Sequence, residues 1–173
     1  MPRVSTRLAL ALCLLAAAPA GGLAAAGPAA AAGVNVRIVN SATSGVLMPQ
    51  DYGNNSSDGI LMYAWHDYDT QGGEQWNVEH TSSGYHLIRN VKTGKCLKPG
   101  GTFHNKPSVS QGSCNDAYEF HWTFEKNTSG EHKITSRSTN KVLAPYYGRE
   151  PGEVVVLEPD SRVAKNWWSV DGI

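Results

Sequence analysis

Tryptophan returns at a fixed interval in this chain: Trp76, Trp122 and Trp168 are each 46 residues apart. Two positions beyond each stands an apolar residue, Val78, Phe124 or Val170, and thirteen positions before each stands Tyr63, Val109 or Val155. Three upstream segments fall into the same register: Ile38 to Pro49, Ile88 to Pro99 and Ile134 to Pro145, with Ile, Thr, Leu and Pro at matching places. The first repeat is four residues longer than the others, and the polar stretch Asp51 to Gly59 is where the extra residues are expected. Repeats of this length are single structural units that cannot bury an apolar face alone and must share a core.

Within each repeat the local pattern is that of strands. Val34 to Val39, His86 to Asn90 and Glu153 to Leu157 are short runs of alternating or β-branched residues. Thr93-Gly94, Pro99-Gly100-Gly101, Ser129-Gly130 and Pro151-Gly152 punctuate the strand runs as turns. No helical apolar stripe appears after residue 33. Four short strands per repeat make twelve, and three such units around one axis bring the Ile, Leu and Trp positions to a common centre. The expected fold class is therefore all-β, a β-trefoil over residues 34–173.

The first 32 residues read differently. Arg3 and Arg7 precede the apolar run Leu8 to Ala18, and Ala-x-Ala patterns end at Ala26 and Ala32. That is the layout of a secretory signal peptide cleaved near 26 or 32, so a secreted protein is expected. The apolar run is shorter than the roughly 20 residues of a membrane-spanning helix. Cys13 leaves with that segment, and the two remaining thiols, Cys96 and Cys114, point in an exported chain to a disulfide rather than a metal pair. Closing that loop would contribute about 3 kcal/mol. Without Arg3 and Arg7 the balance is thirteen cations to fifteen anions, with no Lys/Arg block. Such a surface has no electrostatic footprint for nucleic acid or anionic membrane.

The three repeats, the Thr93-Gly-Lys-Cys-Leu97 segment, the second cysteine at 114 and the closing Trp of each repeat together resemble the ricin B-type lectin family, from about Val34 to Val170. The resemblance implies a non-catalytic trefoil that binds sugar in shallow pockets, one potentially per repeat, and a disulfide between the second and third strands of a repeat. In such pockets an aromatic face stacks on the sugar ring while carboxylates and amides take its hydroxyls. The chain departs from the family's sugar sites at specific places. Met48, Lys98 and Ala144 stand where the family has Asp, and Glu74, Phe120 and Asn166 where it prefers Gln. The stacking aromatic is expected near His66, Gly112 and Glu158, none of them Trp, Tyr or Phe. The segment Glu119-Phe-His-Trp-Thr-Phe124 is also loosely similar to the A and C binding subunits of cytolethal distending toxins.

Little else in the sequence carries chemistry. Six histidines show no paired metal-ligand spacing, and there is no Gly-x-Ser-x-Gly and no phosphate-cradling Gly loop. Asp67 to Gly72 matches the first half of a calcium loop, but Val78 stands where the bidentate Glu belongs, so no metal and no cofactor are expected. The best carbohydrate site is the first repeat: Asp51 and Tyr52 after the turn proline, Trp65 and His66 on the facing strand, Glu74 and Gln75 before Trp76. The third repeat ranks second with Tyr146, Tyr147, Glu158 and Asn166, and the second, with Lys98, Gly112 and Phe120, is expected to be silent. The expected partner is a glycan or glycoconjugate. The alternative is a delivery or scaffold subunit bound to a toxin's catalytic subunit, and protease inhibition through an exposed loop ranks last.

Overall fold

Short runs of alternating buried and exposed residues become strands because a pleated backbone turns successive side chains to opposite faces. The computed structural model describes residues 34–66 and 71–173. The expected leader, residues 1–32, and positions 67–70 of the calcium-like run lie outside the described residues. The strands are β1 (Val34–Val36), β2 (Ile38–Asn40), β3 (Val46–Pro49), β4 (Met62–Trp65), β5 (Trp76–His80), β6 (His86–Asn90) and β7 (Cys96–Phe103). They continue with β8 (Lys106–Gly112), β9 (Trp122–Lys126), β10 (His132–Ser136), β11 (Lys141–Pro145), β12 (Glu153–Glu158) and β13 (Trp168–Val170). These occupy the twelve expected places, because the first place is broken at Arg37. Its halves face different partners: β1 pairs with β5 of its own repeat, β2 with β13 of the third.

The pairings close a ring. Antiparallel contacts run from β1 to β5, then β6, β9, β10 and β13, and return to β2. A closed barrel leaves no free edge strand for another chain to pair with. The hairpins β3–β4, β7–β8 and β11–β12 cover one end, joined by β12–β4, β12–β8 and the Leu61–Ser110 bridge. Among the described residues, no helix is long and apolar enough to cross a membrane.

Ile38, Ile88, Ile134, Leu47, Leu97, Leu143, Trp76, Trp122 and Trp168 lie fully buried in one cluster. Burying an indole also buries an N–H that needs an acceptor. Each repeat supplies one from its own leucine: Trp76 Nε1 donates to the Leu47 carbonyl at 2.8 Å, Trp122 to Leu97 at 3.0 Å, and Trp168 to Leu143 at 2.9 Å. Cys96 and Cys114 form the expected disulfide.

The register corrects one expectation. Pro49 faces Met62, thirteen positions on, whereas Pro99 faces Val109 and Pro145 faces Val155, each ten positions on. Met62, not Tyr63, is therefore the first repeat's counterpart of Val109 and Val155; Met62 is buried and Tyr63 turns outward, half-buried. Three extra residues sit between β3 and β4 and the fourth between β4 and β5, rather than all four within 51–59.

Candidate functional cleft of the first repeat

The register shift matters most one strand position further on. Val46 faces Trp65, as Cys96 faces Gly112 and Val142 faces Glu158. Trp65, not His66, is thus the first repeat's counterpart of Gly112 and Glu158, and an aromatic stands at that place after all. Around it Met48, Pro49, Gln50, Asp51, Tyr52, Tyr63 and Trp65 line a cleft of about 240 Å³. The Trp65 ring is met nearly at right angles by Tyr52, with centroids 5.9 Å apart, and by Tyr63 at 5.6 Å.

One wall of the cleft is strained. Asp51, Tyr52 and Gly53 are left-handed in succession, with φ of 59°, 56° and 71°. Only glycine adopts that conformation freely, and Asp51 and Tyr52 cost on the order of 1–2 kcal/mol each. The neighbouring repeat holds them there. Lys92, in the β6–β7 turn, donates from Nζ to the Tyr52 carbonyl (2.9 Å), Asn54 Oδ1 (2.7 Å) and the Gln71 carbonyl (3.1 Å). Gly73 passes so close that a Cβ there would lie 2.5 Å from the Tyr52 oxygen. The buried Asn90 fixes that passing turn, its Nδ2 donating to the carbonyls of Gly73 and Gln75.

The other expected first-repeat residues stand outside this lining. His66 packs beyond Trp65, edge-on at 6.1 Å, towards the Gly152 turn. Glu74 and Gln75 are half-buried beside the Asn90 turn, where Gln75 Nε2 donates to Glu74 Oε1.

The equivalent places of the other repeats are filled by their own side chains. In the second, Lys98 crosses Gly112, pairs with Glu119 at 2.7 Å and lies over the Phe120 ring. In the third, the buried Glu158 accepts from Lys106 (2.7 Å), Lys165 (2.8 Å) and Asn166 (3.0 Å). Burial alone would raise its pKa, but these bonds outweigh burial and hold the carboxyl below its ordinary value. Asn166 is buried, with Oδ1 accepting from Ser161, so its amide serves the fold. Tyr146 has Lys106 over its ring and Phe103 and His104 at its sides. Tyr147 is exposed beside Arg149, on a turn whose Tyr147, Gly148 and Arg149 amides donate to Glu153. Trp167 carries the Lys133 ammonium over its ring.

A second cluster escapes sequence reasoning because its members lie far apart in the chain. The Arg137 guanidinium is sandwiched between Tyr85 (4.0 Å) and Tyr118 (3.6 Å). Its Nη1 donates to Nδ1 of the buried His121, whose Nε2 donates to Asp116 at 2.6 Å. Among the described residues, no group of three His, Cys, Asp or Glu side chains could hold a metal ion.

Comparison with solved structures places the same scaffold in several settings. An exo-β-1,3-galactanase from Clostridium thermocellum superposes with a TM-score of 0.71 at 24% identity, over 79% of this chain and 29% of the galactanase. The Macrolepiota procera ricin B-like lectin, solved with lactose, matches with a TM-score of 0.63 at 20% identity, over 81% and 96% of the two chains. A cytolethal distending toxin chain from Actinobacillus actinomycetemcomitans gives 0.66 at 14% identity, over 79% and 89%. At these identities the likeness speaks for the fold. No curated protein sequence matches the chain. The ricin-type β-trefoil lectin domain-like family, however, matches in sequence over residues 27–100 and again over 72–158. With the threefold core and closed barrel described above, the chain belongs to that family.

Proposed function

We propose that this protein is an exported, non-catalytic module that recognises carbohydrate through the first-repeat cleft. The observation that carries the reading is Trp65 standing at the register position where related sugar pockets place a stacking ring, with the Asp51 carboxylate beside it. The other two repeats offer no open aromatic at that position. The Cys96–Cys114 bond suits an oxidising, extracytoplasmic destination. A single shallow site of this kind binds weakly, with a Kd on the order of 1 mM, about −4 kcal/mol. Stacking contributes about 0.5–1.5 kcal/mol beyond burial, so Trp65→Ala is expected to weaken binding several-fold with the fold retained. A glycan array followed by titration of wild type, Trp65→Ala and Asp51→Asn tests this. A hit untouched by both substitutions would move the site elsewhere.

A second reading, a delivery or scaffold subunit of a toxin, draws on the Tyr85–Arg137–Tyr118 stack, with Tyr118 63% exposed. Tyrosine and arginine held rigid at a surface have the composition of protein-interface hot spots. Under this reading the chain captures a nuclease from culture supernatant and Tyr118→Ala abolishes the capture. An empty pull-down would remove this reading.

A further inference from the structure

We propose that the first-repeat cleft is a cage for a quaternary ammonium group. This goes beyond the carbohydrate reading: it uses the same cleft but requires no sugar. Two tyrosine planes stand at 85° and 79° to the Trp65 plane, their centroids within 6 Å of it. Perpendicular rings in contact make the corner of a box, and a cation seated in that corner meets several aromatic rings at once. Attraction between a ring and a cation within about 6 Å is strongest for Trp and is largest where water is excluded.

The remaining lining fits the same ligand. Met48 and Pro49 are buried and apolar, and bring no side-chain hydrogen-bond donor. A trimethylammonium has no hydrogen-bonding group to satisfy, so its methyls can pack against them without a desolvation cost. Asp51 is the one charged side chain of the lining, and its sign is that of a counter-ion for an ammonium. At about 240 Å³ the cleft is smaller than the ~300–1,000 Å³ of pockets for drug-sized ligands, and admits one compact group. The Tyr52 backbone is already held by Lys92 and by the close approach of Gly73, so little backbone ordering remains to be done on binding.

The test is calorimetric titration of the whole chain with choline and with its uncharged carbon isostere, 3,3-dimethylbutan-1-ol. Choline is expected to bind with a Kd in about the millimolar range, and the isostere at least about fivefold more weakly. Asp51→Asn, at an exposed position, should weaken choline several-fold, and Trp65→Leu should abolish its binding; if Trp65→Leu fails to fold, Asp51→Asn alone decides. Co-sedimentation with phosphatidylcholine vesicles would assign the group to a lipid headgroup. A response to choline without co-sedimentation would assign it to a soluble or polymer-linked source. Equal binding of the isostere, or no response to choline, overturns the proposal. A glycan-array hit lost in Trp65→Leu beside a silent choline titration overturns it while leaving the carbohydrate reading intact. Choline binding with an empty array does the reverse.

Discussion

Trp122 shows what a single residue does twice over in this core. Its ring fills the centre, and its Nε1–H satisfies the Leu97 carbonyl at 3.0 Å. The two contributions separate by mutation. Trp122→Ala removes both and is expected to cost about 3–5 kcal/mol. Trp122→Phe keeps most of the apolar volume but leaves a buried carbonyl unpaired, at about 1–3 kcal/mol. Denaturant titration of both variants checks the order, and a Phe variant as damaged as the Ala variant would mean that the lost hydrogen bond, not the volume, decides. The ring was legible in the sequence, because three tryptophans at one spacing have no other economical explanation. Its hydrogen-bond partner was not, since the repeating leucine signals apolar burial and says nothing about its carbonyl. Trp65 was half legible. The sequence marks it as a binding residue, but its spacing puts the aromatic place near His66, because only strand pairing reveals where the insertion lies.

The element that carries the site is the turn Gln50–Gly53, and its conformation is imposed from outside. Nothing local favours Asp51 and Tyr52 in the left-handed region; Lys92, Gly73 and Asn90 make it the best available conformation. The sequence showed the insertion and its polar character, but not that two residues of the second repeat shape a cleft in the first. Gly73→Ala tests that dependence. The new methyl would meet the Tyr52 carbonyl at 2.5 Å, a backbone contact that no rotamer change relieves. The turn must move, at about 1–3 kcal/mol. Ligand affinity is expected to fall further than in Gly101→Ala, where the methyl meets nothing within 4 Å. Melting curves and ligand titrations of the pair distinguish a local distortion from a general loss of stability.

At the scale of the whole molecule, threefold symmetry was written plainly in the sequence, and the barrel follows from it. The departures from symmetry are where the chain acquires properties of its own. Two positions before each core isoleucine stand Val36, His86 and His132, so two imidazoles occupy places where the first repeat has valine. Both pack against Phe124, and the Nδ1 of each is buried without a hydrogen-bond partner. Burial first, and then the charge of His80, hold the pKa of His86 below its ordinary value; burial and then Lys126 do the same for His132. In the unfolded chain each titrates near 6.5. Between that value and the lower folded one, the unfolded chain binds more protons, so stability falls as pH falls. The protein is therefore expected to hold its full stability above about pH 6.5 and to lose part of it as the pH drops towards 5. A second loss belongs below about pH 4.5, where Glu158 and Asp160, held low by their lysines, take up protons. The double variant His86→Val, His132→Val copies the valine of the first repeat and removes the two buried imidazoles. Its melting temperature should be nearly flat between pH 7.5 and 5, with the lower-pH loss retained. A double variant as acid-sensitive as wild type in that window would show that the titrating groups lie elsewhere.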